Sequence, residues 1–223
     1  MRFALLYRVN GKRSKLMQRS SVHNLTRKRY NRIAFFYNLM DAPIERLRFA
    51  SWRPMIRDRI KGHKALEVGV GTGKNLDYYP GDIEMTAVDL SPKMLKRAQK
   101  RAALLGLNVR VLEMDAQCLA FPDNCFDTVF ATFVFCSVPD PVQGLRELRR
   151  VCKPGGRLVV LEHVRPANKL LGIFFDVLNP FVVRMMGANI NRRTIDNIKM
   201  AGWQIQTEKK LSSDIVWLIE ATP

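Results

Sequence analysis

With 223 residues, 47% of them apolar and 26% charged, the chain is long enough for one well-cored α/β domain with an appendage. Its four cysteines, Cys118, Cys125, Cys136 and Cys152, form no C-x-x-C pair and have no histidine at zinc-ligand spacing, which excludes a disulfide framework or a zinc fold and reads as reduced core thiols in a cytoplasmic protein without a metal. The net charge of +17 is lopsided: residues 1–64 hold 17 Lys and Arg against Asp41, Glu45 and Asp58, a net +14, while residues 65–223 hold 20 basic against 17 acidic, only +3.

That asymmetry divides the chain into a basic arm with capping helices at 1–64 and a near-neutral domain at 65–223. The apolar stretch in residues 1–9 is broken by Arg2 and Arg8 and is too brief for a signal peptide or a spanning helix. A cationic run is commonly a solvated tail. This one is interleaved with Phe3, Leu5, Leu6 and Tyr7, then with Tyr30, Ile33, Ala34 and Tyr37 at helical spacing, which favours docking on a polyanion.

From residue 65 onward, strand-like and helix-like runs alternate. Residues 65–70 read as a strand that breaks into Gly69, Gly71 and Gly73; residues 75–79 as a short helix; residues 84–89 as a second strand ending in Asp89. This is half of a nucleotide-binding crevice, in which the glycines let a ligand approach the backbone and Asp89 accepts from both hydroxyls of a ribose. A dinucleotide site wants G-x-G-x-x-G, and here the last position is Lys74. Glu67, just ahead of the first glycine, repels a diphosphate and suits a ligand carrying an ammonium.

Further on, residues 92–105 form a helix with Ser91 as its cap and Gly106 as its end, and residues 109–114 a third strand. Residues 126–133 form a fourth strand, 141–151 a helix stopped by Lys153-Pro154-Gly155-Gly156, and 157–162 a fifth strand. Continuous apolar character in the last two strands fits burial on both faces of a parallel sheet. A helix over 190–201 ended by Gly202 and two strand-like runs at 203–209 and 215–221 complete the domain.

On these residues the chain resembles the class I S-adenosylmethionine (SAM)-dependent methyltransferases. The carrying stretches are 30–37, the glycine loop, Val88-Asp89, Met114-Asp115-Ala116, Phe121-Pro122-Asp123, Phe126-Asp127 and 148–160. The likeness runs from about residue 29 to the last residue and is greatest to the group of ubiquinone/menaquinone-biosynthesis methyltransferases and small bacterial phosphatidylethanolamine N-methyltransferases. It implies a Rossmann-like fold: a seven-stranded, mostly parallel sheet of order 3-2-1-4-5-7-6 with the last strand antiparallel and helices on both faces. It also implies SAM as cofactor, with S-adenosylhomocysteine as product.

Carried over position by position, the resemblance places Gly69, Gly71 and Thr72 against the methionine half of SAM, Asp89 on the ribose, Asp115 on the adenine amino group with Ala116 beside it, and Thr132 at the methionyl part. Glu67, Gly73 and Leu90 join this cofactor set. Met94 packs on adenine or ribose, or is plain core. Asp127, before the fourth strand, reads as a structural turn residue.

For the acceptor, Glu162 and His163 close the fifth strand at the ligand edge, and Tyr30 and Tyr37 lie on the helix that folds over the pocket in the resembling family. These four are the candidate catalytic or acceptor-contacting groups, with hydrogen-bonded or packing roles as the plain alternative. Between Lys169 and Asn189 lies an apolar insert, interrupted by Asp176, Asn179, Pro180 and Arg184, which is either a helical lid whose stripe covers the pocket or a surface that faces lipid. A basic arm with an apolar insert suggests a peripheral membrane protein that binds an anionic membrane surface and methylates a lipid or lipophilic acceptor, foremost the phosphatidylethanolamine head group. C-methylation of a quinone precursor, methylation of a small thiol, and a non-catalytic SAM- or RNA-binding module are the alternatives. Nucleic acid ranks below a membrane, because the fourth strand runs into Thr132-Phe133-Val134-Phe135-Cys136 and carries no Asn-Pro-Pro-Tyr element of amino-group base methyltransferases.

Overall fold

A computed structural model describes residues 51–212 and 214–223, so Tyr30, Tyr37 and most of the basic arm lie outside the described residues. Within them, seven strands form one sheet: β1 (Lys64–Val68), β2 (Glu84–Asp89), β3 (Val109–Glu113), β4 (Phe126–Thr132), β5 (Cys152–His163), β6 (Gln204–Ser212) and β7 (Val216–Thr222). Their order is β3-β2-β1-β4-β5-β7-β6. The pairs from β3 across to β5 are parallel, and β7 runs antiparallel to both β5 and β6.

Alternation along the central strands splits the core in two. Leu158 and Val160 face one side of the sheet, Val159 and Leu161 the other. On the first side pack α3 (Pro141–Val151) through Leu145 and Leu148, and α5 (Thr194–Met200) through Ile198. On the second pack α1 (Arg53–Arg57) through Ile56, and α2 (Pro92–Leu104) through Leu95, Ala98 and Ala102. Helix α4 (Lys169–Met186) stands outside both.

Local chemistry sets most helix ends. The Ser91 hydroxyl accepts from Met94 N at 3.3 Å and the Asp140 carboxylate from Gln143 N at 3.0 Å, each ahead of a proline whose fixed φ suits a first turn. Asn168 does the same for α4, accepting from Leu171 N at 3.1 Å, and left-handed Gly187 closes that helix.

The structure departs from expectation at four places. The helix expected at 75–79 is a single 3₁₀ turn, Leu76–Tyr78, because Tyr79 precedes Pro80 and is held extended (ψ 134°). Residues 153–156, expected only to stop a helix, are a bulge within β5: Cys152 pairs with Phe126 and Arg157 with Thr128, and Gly155 takes a left-handed φ of 77°. Helix α5 starts at Thr194 and not at residue 190, because the Arg192 carbonyl, which a helix from 190 would give to Asp196 N, accepts from Arg165 N at 2.8 Å. Of the four cysteines, Cys136 and Cys152 are buried, but Cys125 is half-buried and Cys118 exposed, so the core-thiol reading holds for two.

The boundary drawn at residue 64 also does not separate two packing units. Ile56 and Ile60 belong to the core, and Arg59 Nε bonds Glu220 on β7 at 2.7 Å. Asp127 ties the same corner, accepting from His63 N and Lys64 N at 2.9 Å and from Lys153 Nζ at 2.7 Å. Partial burial works against its ionisation, but Lys153 and the two backbone N–H groups outweigh that and hold the carboxyl at about 2. Asp127→Ala should therefore lower stability by about 1–2 kcal/mol, measured by denaturant unfolding, with ligand binding intact. Because the folded value is depressed, this contribution is present above the ordinary carboxylate range and is lost as pH falls toward about 2.

Candidate active site

A cleft open to solvent lies at the C-terminal ends of β1, β2 and β4, where the strand order reverses between β1 and β4. Its floor is the turn after β1, anchored by Gly69 N and Val70 N donating to Val88 O at 2.8 and 3.1 Å. The three glycines serve different ends. A Cβ on Gly69 would strike Val134 Cγ2 at 2.3 Å, and one on Gly73 would strike Leu76 Cδ1 at 2.5 Å, so both are demanded by packing. At Gly71 the backbone is left-handed (φ 56°) and a Cβ would stand in open space over the cleft. Gly73 does not line the cleft.

Asp89 stands at the tip of β2. Its Oδ2 accepts from Gly71 N at 2.9 Å and its Oδ1 from Ser91 N at 2.8 Å; burial pushes its carboxyl up from the ordinary value while these N–H groups pull it back. Leu90 and Met94 continue that wall, and Met94, at 1% exposure, is at once core and cleft lining. On the neighbouring strand end, Asp115 follows β3, with Oδ1 accepting from Gln117 N at 2.8 Å and Ala116 alongside.

The opposite end is a buried polar network that sequence reasoning found only in part. Glu67, 2% exposed, accepts from Asn75 Nδ2 at 2.6 Å and from the Tyr79 hydroxyl; Asn75 Nδ2 also donates to Thr132 Oγ1 at 3.0 Å and Asn75 Oδ1 accepts from Arg53. Burial pushes Glu67 up to about 7, against the pull of Tyr79, Asn75 and Arg53, and drives the Tyr79 hydroxyl up as well. Thr72 and Thr132 line the cleft here as expected from their positions. Arg53 was not anticipated: it sits before β1 with no motif around it, and only folding brings its guanidinium to the cleft.

The loop after β4 supplies the remaining wall through Phe133, Val134, Ser137 and Val138. Phe133 is left-handed without being glycine (φ 57°), a conformation that persists only when neighbours impose it. Its N–H donates to Leu161 O at 2.9 Å, and the next two N–H groups, of Val134 and Phe135, donate to Glu162 Oε1 at 2.6 and 2.9 Å. Glu162, fully buried, thus faces the loop's backbone and does not line the cleft. His163 lies behind Phe133, ring centroids 4.7 Å apart, and its carbonyl accepts from Thr194 Oγ1 at 3.0 Å. Among the described residues of α4 none lines the cleft, so the structure does not place that helix as an apolar lid over the pocket.

These donors and acceptors fit an adenosyl amino acid. Asp89 and Asp115 offer acceptors suited to ribose hydroxyls and an adenine amine, Gly71 leaves the backbone beside Asp89 bare, and Glu67 offers an acceptor for an ammonium. Asp89 and Glu67 beside the loop would repel a diphosphate. Among the described residues no group of His, Cys, Asp and Glu is arranged to hold a metal ion.

Residues 66–160, which carry this cleft, match a family model described as a methyltransferase domain. The phosphatidylethanolamine N-methyltransferase of Cereibacter sphaeroides is 44% identical over 105 residues, 46% of this chain and 52% of that protein. The ubiquinone/menaquinone biosynthesis C-methyltransferase UbiE of Cellvibrio japonicus is 34% identical over 166 residues, 69% of this chain and 66% of that one. The matched part therefore spans about half of the first relative's length and about two thirds of the second's. A SAM-dependent methyltransferase of Thermotoga maritima, described as a possible histamine N-methyltransferase, shares the fold at a TM-score of 0.63 over 85% of this chain and 97% of that one, with 23% identity.

Proposed function

We propose that this chain, which belongs to the class I SAM-dependent methyltransferases, methylates the amino head group of phosphatidylethanolamine at a membrane surface. The observation that carries the cofactor half is the open Gly71 flanked by the Asp89 carboxylate that accepts from its N–H. SAM bound there supplies a methyl group already activated by its sulfonium. The protein's part is to align the acceptor in line with that methyl and to keep water out.

An amine attacks only with a free lone pair. Glu162 is committed to backbone N–H groups and Phe133 stands between His163 and the cleft, so neither acts as a base without rearrangement. Desolvation against Phe133, Val134 and Val138 needs no movement and lowers an ammonium's pKa by itself. Phe133 would also offer its π face to the cationic product.

Phosphatidylethanolamine is favoured by the named activity of the 44% identical relative and by the apolar exterior of α4. A quinone precursor is the second reading, favoured by the longer match to UbiE. Radiolabelled SAM offered with phosphatidylethanolamine vesicles, and separately with a demethylquinone in micelles, distinguishes them. We expect label in the lipid amine; label only in the quinone would replace this reading with the second, and label in neither, with SAM bound, would refute both.

A further inference from the structure

Helix α4 carries apolar residues on both its half-buried and its exposed faces. A surface helix ordinarily turns its apolar stripe to the core and its polar residues to water. Here polar side chains also hold the helix to the body. Asp176 accepts from Arg165 Nη2 at 2.8 Å and from Asn191 Nδ2 at 3.0 Å; Asn179 donates to Asn189 Oδ1 at 3.2 Å and accepts from Ile190 N at 2.9 Å. Gly172 is buried because the Arg165 guanidinium occupies the space a side chain would need, 2.6 Å from a Cβ placed there.

The outer stripe, stepping by three and four, is Leu170, Phe174, Val177, Phe181 and Met185, exposed by 81, 59, 76, 62 and 60%, with Ile173 beside it. So many large apolar side chains in one exposed row mark an interaction surface. The far end of the helix is tied to the cleft wall, since Asn189 donates through both N and Nδ2 to Cys136 O.

We infer that α4 lies in the plane of an anionic bilayer, its Leu170 to Met185 stripe among the acyl chains, and thereby holds the cleft mouth at head-group depth; this rests on the reading that the acceptor is a lipid. Charge selects a bilayer over a second copy of the chain. Exposed Lys169 and Arg184 bracket the stripe, and the chain's +17 would repel its own copy but is drawn to anionic lipid. No described helix is long and apolar enough to cross a membrane, so α4 lies on the bilayer and does not span it.

Flotation of the full chain with phosphatidylcholine vesicles, with and without phosphatidylglycerol, tests this. Partition should require phosphatidylglycerol, and the F174S/F181S double variant should weaken it by about tenfold or more. Leu104→Ser, on an equally exposed leucine of α2, should leave it unchanged. Calorimetric SAM binding and methylation of dispersed short-chain phosphatidylethanolamine should be the same in all three proteins, which separates a failure of docking from a failure of the proposed activity. Wild-type partition by F174S/F181S would overturn the inference. So would a dimer, seen by sedimentation, that those substitutions dissolve while vesicle binding persists.

Discussion

Asp89→Ala is expected to weaken SAM binding about a hundredfold while lowering stability by only about 1–2 kcal/mol. The carboxylate is oriented at both oxygens, by Gly71 N at 2.9 Å and Ser91 N at 2.8 Å, and so is set before any ligand arrives. Two ribose hydroxyls donating to it make charge-assisted bonds of about 1.5–3 kcal/mol each, and water recovers part of that in the variant, leaving about 3 kcal/mol. Stability should fall less than affinity: the variant leaves Gly71 N and the buried Ser91 N without their acceptor, and loss of a buried charge offsets part of that. Burial raises the Asp89 carboxyl above its ordinary value, so ionised Asp89 is a cost to the folded state at neutral pH, not a support. The glycine turn also keeps its anchor without it, through Gly69 N and Val70 N on Val88 O. Affinity in the unmutated protein should fall as pH drops through the raised Asp89 value, and Asp89→Asn, which retains one acceptor, should lie between. Calorimetry at several pH values reads all three; unchanged affinity in Asp89→Ala would remove the ribose role.

What could be read from the chain beforehand follows the range of the forces involved. The starts of α2 and α3 were legible because each is written in four consecutive residues, Ser91-Pro92 or Asp140-Pro141 followed by the N–H that the cap accepts. Strand order and Asp89, Asp115 and Thr132 were legible through resemblance and then came together in one cleft. Arg53, Asn75 and Tyr79 were not, because their significance lies in bonds to Glu67 and to one another that no local pattern encodes. Apolar content in α4 was plain in sequence, but which way it faces depends on where Arg165, Asn189 and Ile190 end up, which is tertiary information. Glu162 was expected at the ligand edge as a candidate catalytic or acceptor-contacting group, and folding set its carboxylate on the backbone of the loop after β4 and not among the cleft lining.

That placement makes Glu162 the residue on which the cleft wall depends. Glu162→Ala would strip the acceptor from two backbone N–H groups, of Val134 and Phe135, and should cost about 3 kcal/mol. It should also release Phe133 from its left-handed φ and Val134 from its place over Gly69, so activity should fall further than stability alone accounts for. Glu162→Gln preserves an oxygen for both N–H groups and separates geometry from charge. Burial pushes the Glu162 carboxyl up to about 7, opposed by the Phe135 and Val134 N–H groups and by Arg192, and its Oε2 is buried without a partner among the described residues. A raised value means that its stabilising share is full below the ordinary carboxylate range and is lost as pH rises through about 7. Glu67 is raised into the same range, so the pH dependence of the unmutated protein mixes the two. The difference between wild type and Glu162→Gln isolates one of them: the variant should match wild type at about pH 4 and exceed it by up to about 3 kcal/mol at about pH 8. Denaturant unfolding at both pH values measures this, and parallel behaviour of the two proteins would show that the Glu162 charge is not the penalised one and that the loop's hold on the cleft is insensitive to its ionisation.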